Sequence, residues 1–314
     1  MAKNYIQFQK GMSLADFIAR YGTEEQCLAE AFTLRWPRGF RCPKCHNDTY
    51  CRLHSRKVIQ CHRCHHQTSI TAGTIFHSTK MPLTKWFWAM FLICQDKNGI
   101  SAMELGRQLG ISYNSAWQLK HKLMQVMLER DSTKKLHGRI EIDDAYYGAK
   151  RVPGKKGRGA ARKTPFIAAI ETHDGKPFYL KLSRVKGFLS REIERWSGHH
   201  LTTGTTVVSD GLSCFKGVEK AGCSHEIHIV GSGRKAVKHP AFKWVNTVIG
   251  NVKNSIRGTY HAIRRKHLPR YLAEFQYRFN RRFDLKDILH RLIYMALRTP
   301  PMPVPLIKLA ENAW

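Results

Sequence analysis

Acid is scarce in this chain. Only 23 Asp and Glu stand against 53 Lys and Arg, a formal charge of +30 over 314 residues. A surface so basic repels itself and is tolerated most easily when a polyanion neutralises it, which makes nucleic acid the first candidate partner and an anionic membrane the second. Long apolar runs are missing too. The richest, Trp86 to Cys94, is about half of what a bilayer-spanning helix needs, so no membrane span is expected. The opening MAKNYIQFQKGMSL lacks the apolar centre of a signal peptide, and a cytoplasmic location is expected. There the nine cysteines stay reduced, and reduced cysteines in close pairs point to metal rather than to disulfides. Apolar residues are not lacking: 42% hydrophobic and 11% aromatic content excludes wholesale disorder. The length suits about two domains, each able to bury a core. No internal repeat or low-complexity tract is evident.

Composition shifts divide the chain into three parts. Residues 20–80 carry a dense Cys/His cluster. Residues 81–136 have apolar positions at helical spacing (Ala116, Leu119, Leu123, Val126, Met127), broken by Lys97-Asn98-Gly99 and by Gly110, so helices are expected. Residues 137–298 open with short alternating runs: RIEIDDAYY, PFIAAIE, PFYLKLSRV, TTVVSD and HEIHIV, with a helical SREIERW after the third and further helices from Ala241. That order predicts an α/β or α+β domain, a mixed sheet flanked by helices. Residues 148–164 hold seven Lys/Arg and no acid, a basic loop in which Lys155, Lys156 and Arg158 are candidate contacts to a DNA backbone.

Two CxxC pairs, Cys42/Cys45 and Cys61/Cys64, are separated by 15 residues. Each pair makes a tight knuckle, and two knuckles supply the tetrahedral sulfur set that zinc prefers, at ~2.3 Å per bond. A closed four-thiolate site has no open position for water, so this zinc is expected to be structural. Cys51, His46, His62, His65 and His66 lie close enough in sequence to replace one ligand. The basic neighbours Arg38, Arg41, Lys44, Arg52, Arg56, Lys57 and Arg63 make the ribbon a candidate nucleic-acid module. Farther on, Ile100 to Lys120 reads as a helix-turn-helix broken at Gly110, or as a helical hairpin that only packs. The Trp86/Trp88 pair fits a core better than a base-stacking platform.

In so basic a chain, acids on strands stand out. Asp143 lies in Ile140-Glu141-Ile142-Asp143-Asp144, where alternation puts Ile140 and Ile142 on one face and Glu141 and Asp143 on the other. Asp210 ends a short apolar strand and precedes Gly211, a strand-tip position where ligands and metals collect in α/β sheets. Phosphoryl transfer on a nucleic-acid backbone uses carboxylates that hold two divalent ions ~3.5–4 Å apart. Farther on, Phe242, Val245, Ile249, Val252 and Ile256 form an apolar helical stripe, and Asn246, Gly250, Lys253 and Arg257 form a second stripe beside it.

Asp143, Asp210, Asn246 after a further 35 residues, and Lys253 seven positions beyond together resemble the catalytic set of the DDE transposases of bacterial insertion sequences. The resemblance is closest to the insertion-sequence family whose members begin with a zinc ribbon and a helix-turn-helix. It rests on CPKC…CHRC, GTIFHSTKMPLTKWF, EIDDAYYGAKR, SDGLSCF and IRGTYHAIRRKHLPRYLAEFQYRFNRR, and it covers about residues 20 to 295. It implies an RNase H-like core and two-metal strand cleavage and joining with magnesium or manganese. It implies Asp143, Asp210 and Asn246 as ligands and Lys253 as a contact to DNA; Arg257, on the same stripe, is a further candidate contact. The implied partners are double-stranded DNA, both element terminal inverted repeats and target, and further copies of the chain assembled on that DNA in the nucleoid. Most DDE enzymes carry Glu where Asn246 stands; a branch of the family carries Asn. No acid lies between Glu226 and Glu274 to replace it. An amide oxygen is an acceptable but weaker ligand for magnesium. Two other readings compete: a zinc-ribbon regulator that binds DNA without cutting it, and a ribbon protein of the transcription or RNA machinery. Neither has a use for the strand-tip aspartates.

Overall fold

The computed structural model describes residues 11–148, 163–229 and 239–310. They fall into two compact units, one within Met1–Val126 and Arg281–Glu311, the other within Met127–Asn280.

In the first unit, α1 (Leu14–Tyr21) and α2 (Glu24–Arg35) each start on a capping box, Ser13 with Asp16 and Thr23 with Gln26. A three-stranded antiparallel ribbon follows, β1 (Tyr50–Leu53), β2 (Val58–Cys61) and β3 (Gln67–Thr68). Its small core is Phe40, Cys42, Ile59 and Cys61, with Phe32, Trp36 and Tyr50 against it. Next come α3 (Leu83–Gln95), α4 (Ala102–Leu109) and α5 (Tyr113–Ser132). The α3 N-terminus has no side-chain cap of its own; instead the Glu24 carboxylate accepts from Leu83 N and Thr84 N, both at 2.9 Å. Trp86 is a core residue, as its sequence context predicts, with Nε1 donating to Thr79 Oγ1 at 3.1 Å. Between α4 and α5 the chain turns at Gly110 in the left-handed conformation (φ 59°, ψ 47°). A Cβ on Gly106 would sit 3.1 Å from Ile111 O, so the absence of a side chain lets the turn close on α4.

The second unit is built on a five-stranded sheet. Its strands are β4 (Arg139–Tyr147), β5 (Thr164–His173), β6 (Lys176–Arg184), β7 (Thr206–Ser209) and β8 (Ser224–Ile227), in the order β6-β5-β4-β7-β8. The first three are antiparallel neighbours, while β7 and β8 run parallel to β4. This mixed order, with helices on both faces, is the RNase H-like arrangement that the motifs imply. On one face Ile140, Ile142 and Val207 pack with Ile193 and Trp196 of α6 (Ser190–His200). The short α7 (Gly217–Lys220) lies between β7 and β8. On the other face Ala145, Ala168 and Val208 pack with Val245, Ile249, Val252 and Ile256 of α8 (Lys243–Tyr260) and with Leu268 and Leu272 of α9 (Leu268–Asn280). The apolar stripe read from spacing is therefore the docking face of α8. Along the free edge of β6, the Gln276 and Asn280 side chains accept from Leu182 N and Leu180 N, both at 2.8 Å, and Asn280 Nδ2 donates back to Leu180 O.

The boundaries differ from the sequence division at two places, and the first is that the second unit starts at Met127, within α5, and not at residue 137. The second is that residues 281–298, read there as the end of the core, group with the first unit. That segment carries α10 (Ile288–Ala296), and the last helix, α11 (Val304–Leu309), follows it in the same unit; Ile75 N donates to Ala296 O while Arg298 donates to Leu34 O.

Candidate active site and metal centres

The two cysteine knuckles share one backbone design. His46 N donates to Cys42 O at 2.9 Å and His65 N to Cys61 O at 3.1 Å, and both histidines take a positive φ (59° and 55°). These histidines close turns and are not in the sulfur set. Cys51 Sγ meets the Gln60 carbonyl at 3.9 Å instead. The register Tyr50↔Cys61 brings the knuckles face to face, and one sulfur from each of Cys42, Cys45, Cys61 and Cys64 lies within 4.8 Å of the others. The Cys42–Cys64 and Cys45–Cys61 sulfurs are each 3.6 Å apart. Sulfurs ~2.3 Å from a tetrahedral zinc would be about 3.8 Å from one another, so the set fits zinc almost without adjustment. Burial works against a thiolate at Cys61, but backbone N–H groups of Cys64 and Arg63 outweigh it and hold the thiol down at about 6.

The carboxylates of the second unit converge by topology. β4 and β7 run parallel with Glu141 opposite Val208, and two residues further along, that register sets Asp143 beside Asp210. One oxygen from each of Asp143, Asp144 and Asp210 lies within 4.8 Å of the others. Asp210 also caps its own turn, accepting from Leu212 N at 3.0 Å, and Gly211 follows at φ 83°. A Cβ on Gly211 would come within 3.1 Å of Ile227 Cγ2, so the turn requires glycine twice over. Burial, with the charges of Asp144 and Asp210 added, pushes the Asp143 carboxyl up to about 7. Lys253 sits close enough to act on Asp143 and Asp144. Burial lowers its ammonium pKa, against the pull of those two acids.

Asn246 and Lys253 both lie half-buried on α8, two turns apart, with Gly250 exposed between them. Glu141, on the sheet face that α8 covers, fixes that helix. Its Oε2 accepts from Trp244 N at 2.8 Å and from Val245 N at 2.9 Å. This carboxylate is buried, which raises its pKa, while the two N–H groups oppose the rise. It is thereby committed to the helix terminus that immediately precedes Asn246. At the other end of α8, Tyr260 donates to the buried Glu274, which also pairs with Arg278 at 2.7 Å. Arg257 is exposed on the same helix. Lys155, Lys156 and Arg158 lie outside the described residues.

Asp144 and Glu141 are the residues whose part in the site was not read from sequence. Strand alternation assigns Asp144 to the face opposite Asp143, so only the folded geometry adds it to the set. Nothing local marks Glu141 as the cap of a helix that begins about 100 residues later.

Residues 22–67 match the transposase zinc-ribbon domain family, and residues 135–280 match the ISXO2-like transposase domain family. A protein described as an uncharacterized protein in transposable element ISH50 of Halobacterium salinarum is 28% identical over 129 residues, which are 40% of this chain and 41% of that protein. The chain thus aligns with less than half the length of that relative. Among solved structures, the Mos1 strand transfer complex is similar at 10% identity, over 63% of this chain and 76% of the other, with a TM-score of 0.21. A pre-cleavage Mos1 transpososome gives 10% identity, 63% and 77% coverage, and a TM-score of 0.19. With four cysteines gathered in the matched ribbon and three aspartates in the matched core, the chain belongs to the insertion-sequence transposases that carry an N-terminal zinc ribbon.

Proposed function

We propose that this transposase cleaves the ends of its own insertion sequence and joins them to target DNA, and that Asp143, Asp210 and Asn246 hold the two divalent ions of that reaction. The observation that carries the reading is the convergence of Asp143, Asp144 and Asp210 in a chain with so few acids. Three carboxylates that close repel one another, and a dication relieves the repulsion. An all-oxygen donor set suits magnesium or manganese rather than a soft metal. Bound there, such ions would supply the Lewis acidity that phosphodiester hydrolysis and strand transfer require.

The remaining tasks fall to the chain's own groups. Asp143 projects from the middle of β4 and Asp210 from just past the end of β7, and together they set the spacing of the site. Asp144 adds negative charge beside them. Asn246 offers a neutral amide oxygen from α8, whose start Glu141 fixes. Lys253 places a cation near the acids, suited to a phosphate of the cleaved end, and Arg257 extends that contact along the helix. Lys155, Lys156 and Arg158 are assigned to backbone contacts on the strength of the basic run alone. The partners are double-stranded DNA, as element ends and target, with further copies of the chain assembled on it in the cytoplasm. No helix among the described residues is long and apolar enough to cross a membrane.

The test is strand transfer of an oligonucleotide that carries the element end, with magnesium or manganese present. The wild type is expected to join it to target DNA. Asp143→Asn and Asp210→Asn are expected to bind the same DNA and join none. A wild type that binds the end tightly but leaves it uncut under either metal would instead be a non-catalytic regulator.

A further inference from the structure

A third cluster of metal-binding side chains lies in the second unit, away from both sites described above. His137 precedes β4, while Glu171 and His173 lie at the end of β5, and one donor atom from each of the three lies within 4.8 Å of the others. Glu171 is fully buried, yet both of its oxygens face imidazoles. Oε1 is 2.6 Å from His173 Nε2, and Oε2 is 3.5 Å from His137 Nδ1. Backbone geometry preorganises the group. Arg139 pairs with Thr172 across the two strands, and His137 N donates to Glu171 Oε2 at 3.2 Å. The His173 ring is held edge-on by Phe178, with centroids 4.8 Å apart.

A buried carboxylate needs a compensating charge. An imidazole supplies that charge only when it is protonated, whereas a dication supplies both charge and coordination. Nitrogen and oxygen ligands about 2.1 Å from a tetrahedral zinc lie about 3.4 Å apart, so the His137–Glu171 separation already has the right size. The His173 ring would need to withdraw by less than 1 Å, about the length by which its contact falls short of that spacing. Both histidines are exposed, which leaves an approach from solvent. From its start at Arg139, β4 runs four residues, about 13 Å, before it reaches Asp143, so this group shares no ligand with the aspartate site.

We propose that His137, Glu171 and His173 form a divalent transition-metal site that clips the start of β4 to the end of β5. Two imidazoles and one carboxylate select zinc, cobalt or nickel over magnesium. The two imidazoles and the carboxylate supply three ligands, and water completes the shell. The site ties together the strand that carries Asp143 and its antiparallel neighbour at the end remote from the acids.

Zinc content of the untagged full-length protein tests this. The protein is equilibrated with zinc and with excess magnesium, which keeps zinc off the all-oxygen cluster, and then dialysed. Two zinc ions per chain are expected for the wild type and one for the His137→Ala/His173→Ala double variant. Glu171→Gln keeps the side-chain shape and an acceptor for an imidazole but weakens coordination, so it too should hold one. In cobalt-substituted protein, the thiolate-to-cobalt charge-transfer band should persist in both variants, which shows that the ribbon keeps its own metal. One zinc per chain in the wild type with that band intact would overturn the assignment, as would a double variant that still holds two. In either case the cluster would be a pair of His–Glu hydrogen bonds and nothing more.

Discussion

The cysteine and aspartate clusters gather their donors to the same tightness, within 4.8 Å, by opposite routes. In the ribbon, two short turns do nearly all the work, and one antiparallel register joins them. The Cys42 and Cys61 thiols arrive with backbone N–H groups already directed at them, and so two of the four ligands are prepared for the anionic form that zinc requires. The aspartates come from two strands that meet only through a parallel register. Beside them runs a helix held in place by a third side chain, Glu141. Burial and the neighbouring acids outweigh the Asp144 N–H and the Lys253 ammonium there, which is why Asp143 sits at about 7. The ribbon therefore behaves as a self-contained fold element, and the acidic site as a property of the whole second unit.

The harshest test of that contrast is removal of a ribbon ligand. Structural zinc contributes on the order of 10 kcal/mol to a small site, so Cys61→Ser should lose its metal and unfold the ribbon. Specific binding to the element end should go with it, while the five-stranded sheet keeps its circular-dichroism signal. Collapse of both units together would show that the ribbon is not self-contained. Next in size is the amide ligand. Asn246→Ala should depress strand transfer by orders of magnitude without weakening DNA binding, because the apolar face of α8 is untouched. Asn246→Glu should retain measurable activity and shift the preference between manganese and magnesium. Wild-type transposition by Asn246→Ala would mean that the third ligand comes from elsewhere, and Asp144 is the residue the geometry offers.

Smaller effects probe how the helix is held. Glu141→Ala leaves two helix N–H groups without their acceptor and should cost roughly 1–3 kcal/mol of stability. Strand transfer should fall further than that loss of folded protein explains. Glu141→Gln, which still presents an oxygen, should recover most of both, as chemical denaturation and the strand-transfer assay would report. The last effect is one of pH and is read as a slope. Asp143 has a folded pKa of about 7 against an ordinary 3.8, so the native state holds a proton that the unfolded chain has released. Metal-free protein should thus lose stability as pH rises from about 4 to about 7, at no more than roughly 1.4 kcal/mol per unit, and change little above. Magnesium should flatten that slope; a slope indifferent to magnesium would place the ion elsewhere.

What was legible in the sequence follows the same contrast. The ribbon ligands could be named from spacing, because a knuckle is a local object. The strand Arg139–Tyr147 coincides with the alternating run RIEIDDAYY, and the stripe from Phe242 to Ile256 is the buried face of a helix. Periodicity reports burial, and burial is what both patterns encode. The long-range partnerships left no trace. Glu141 reaches Trp244 and Val245, Glu274 receives Tyr260, and residues 281–298 join the first unit, all through pairings that depend on the completed fold.

The cover that α9 lays along β6 has a consequence for synthesis. Until Gln276 and Asn280 are in place, Leu180 and Leu182 present free backbone groups on an outer strand of the sheet. About 100 residues separate the end of β6 from the end of α9. At ribosomal speeds of roughly 5–20 residues per second, that strand stays open to foreign partners for about 5–20 s. Neighbouring nascent chains on one messenger each carry the same open strand during that interval. Slowing translation between β6 and α9 should therefore increase the fraction of chains lost to aggregation.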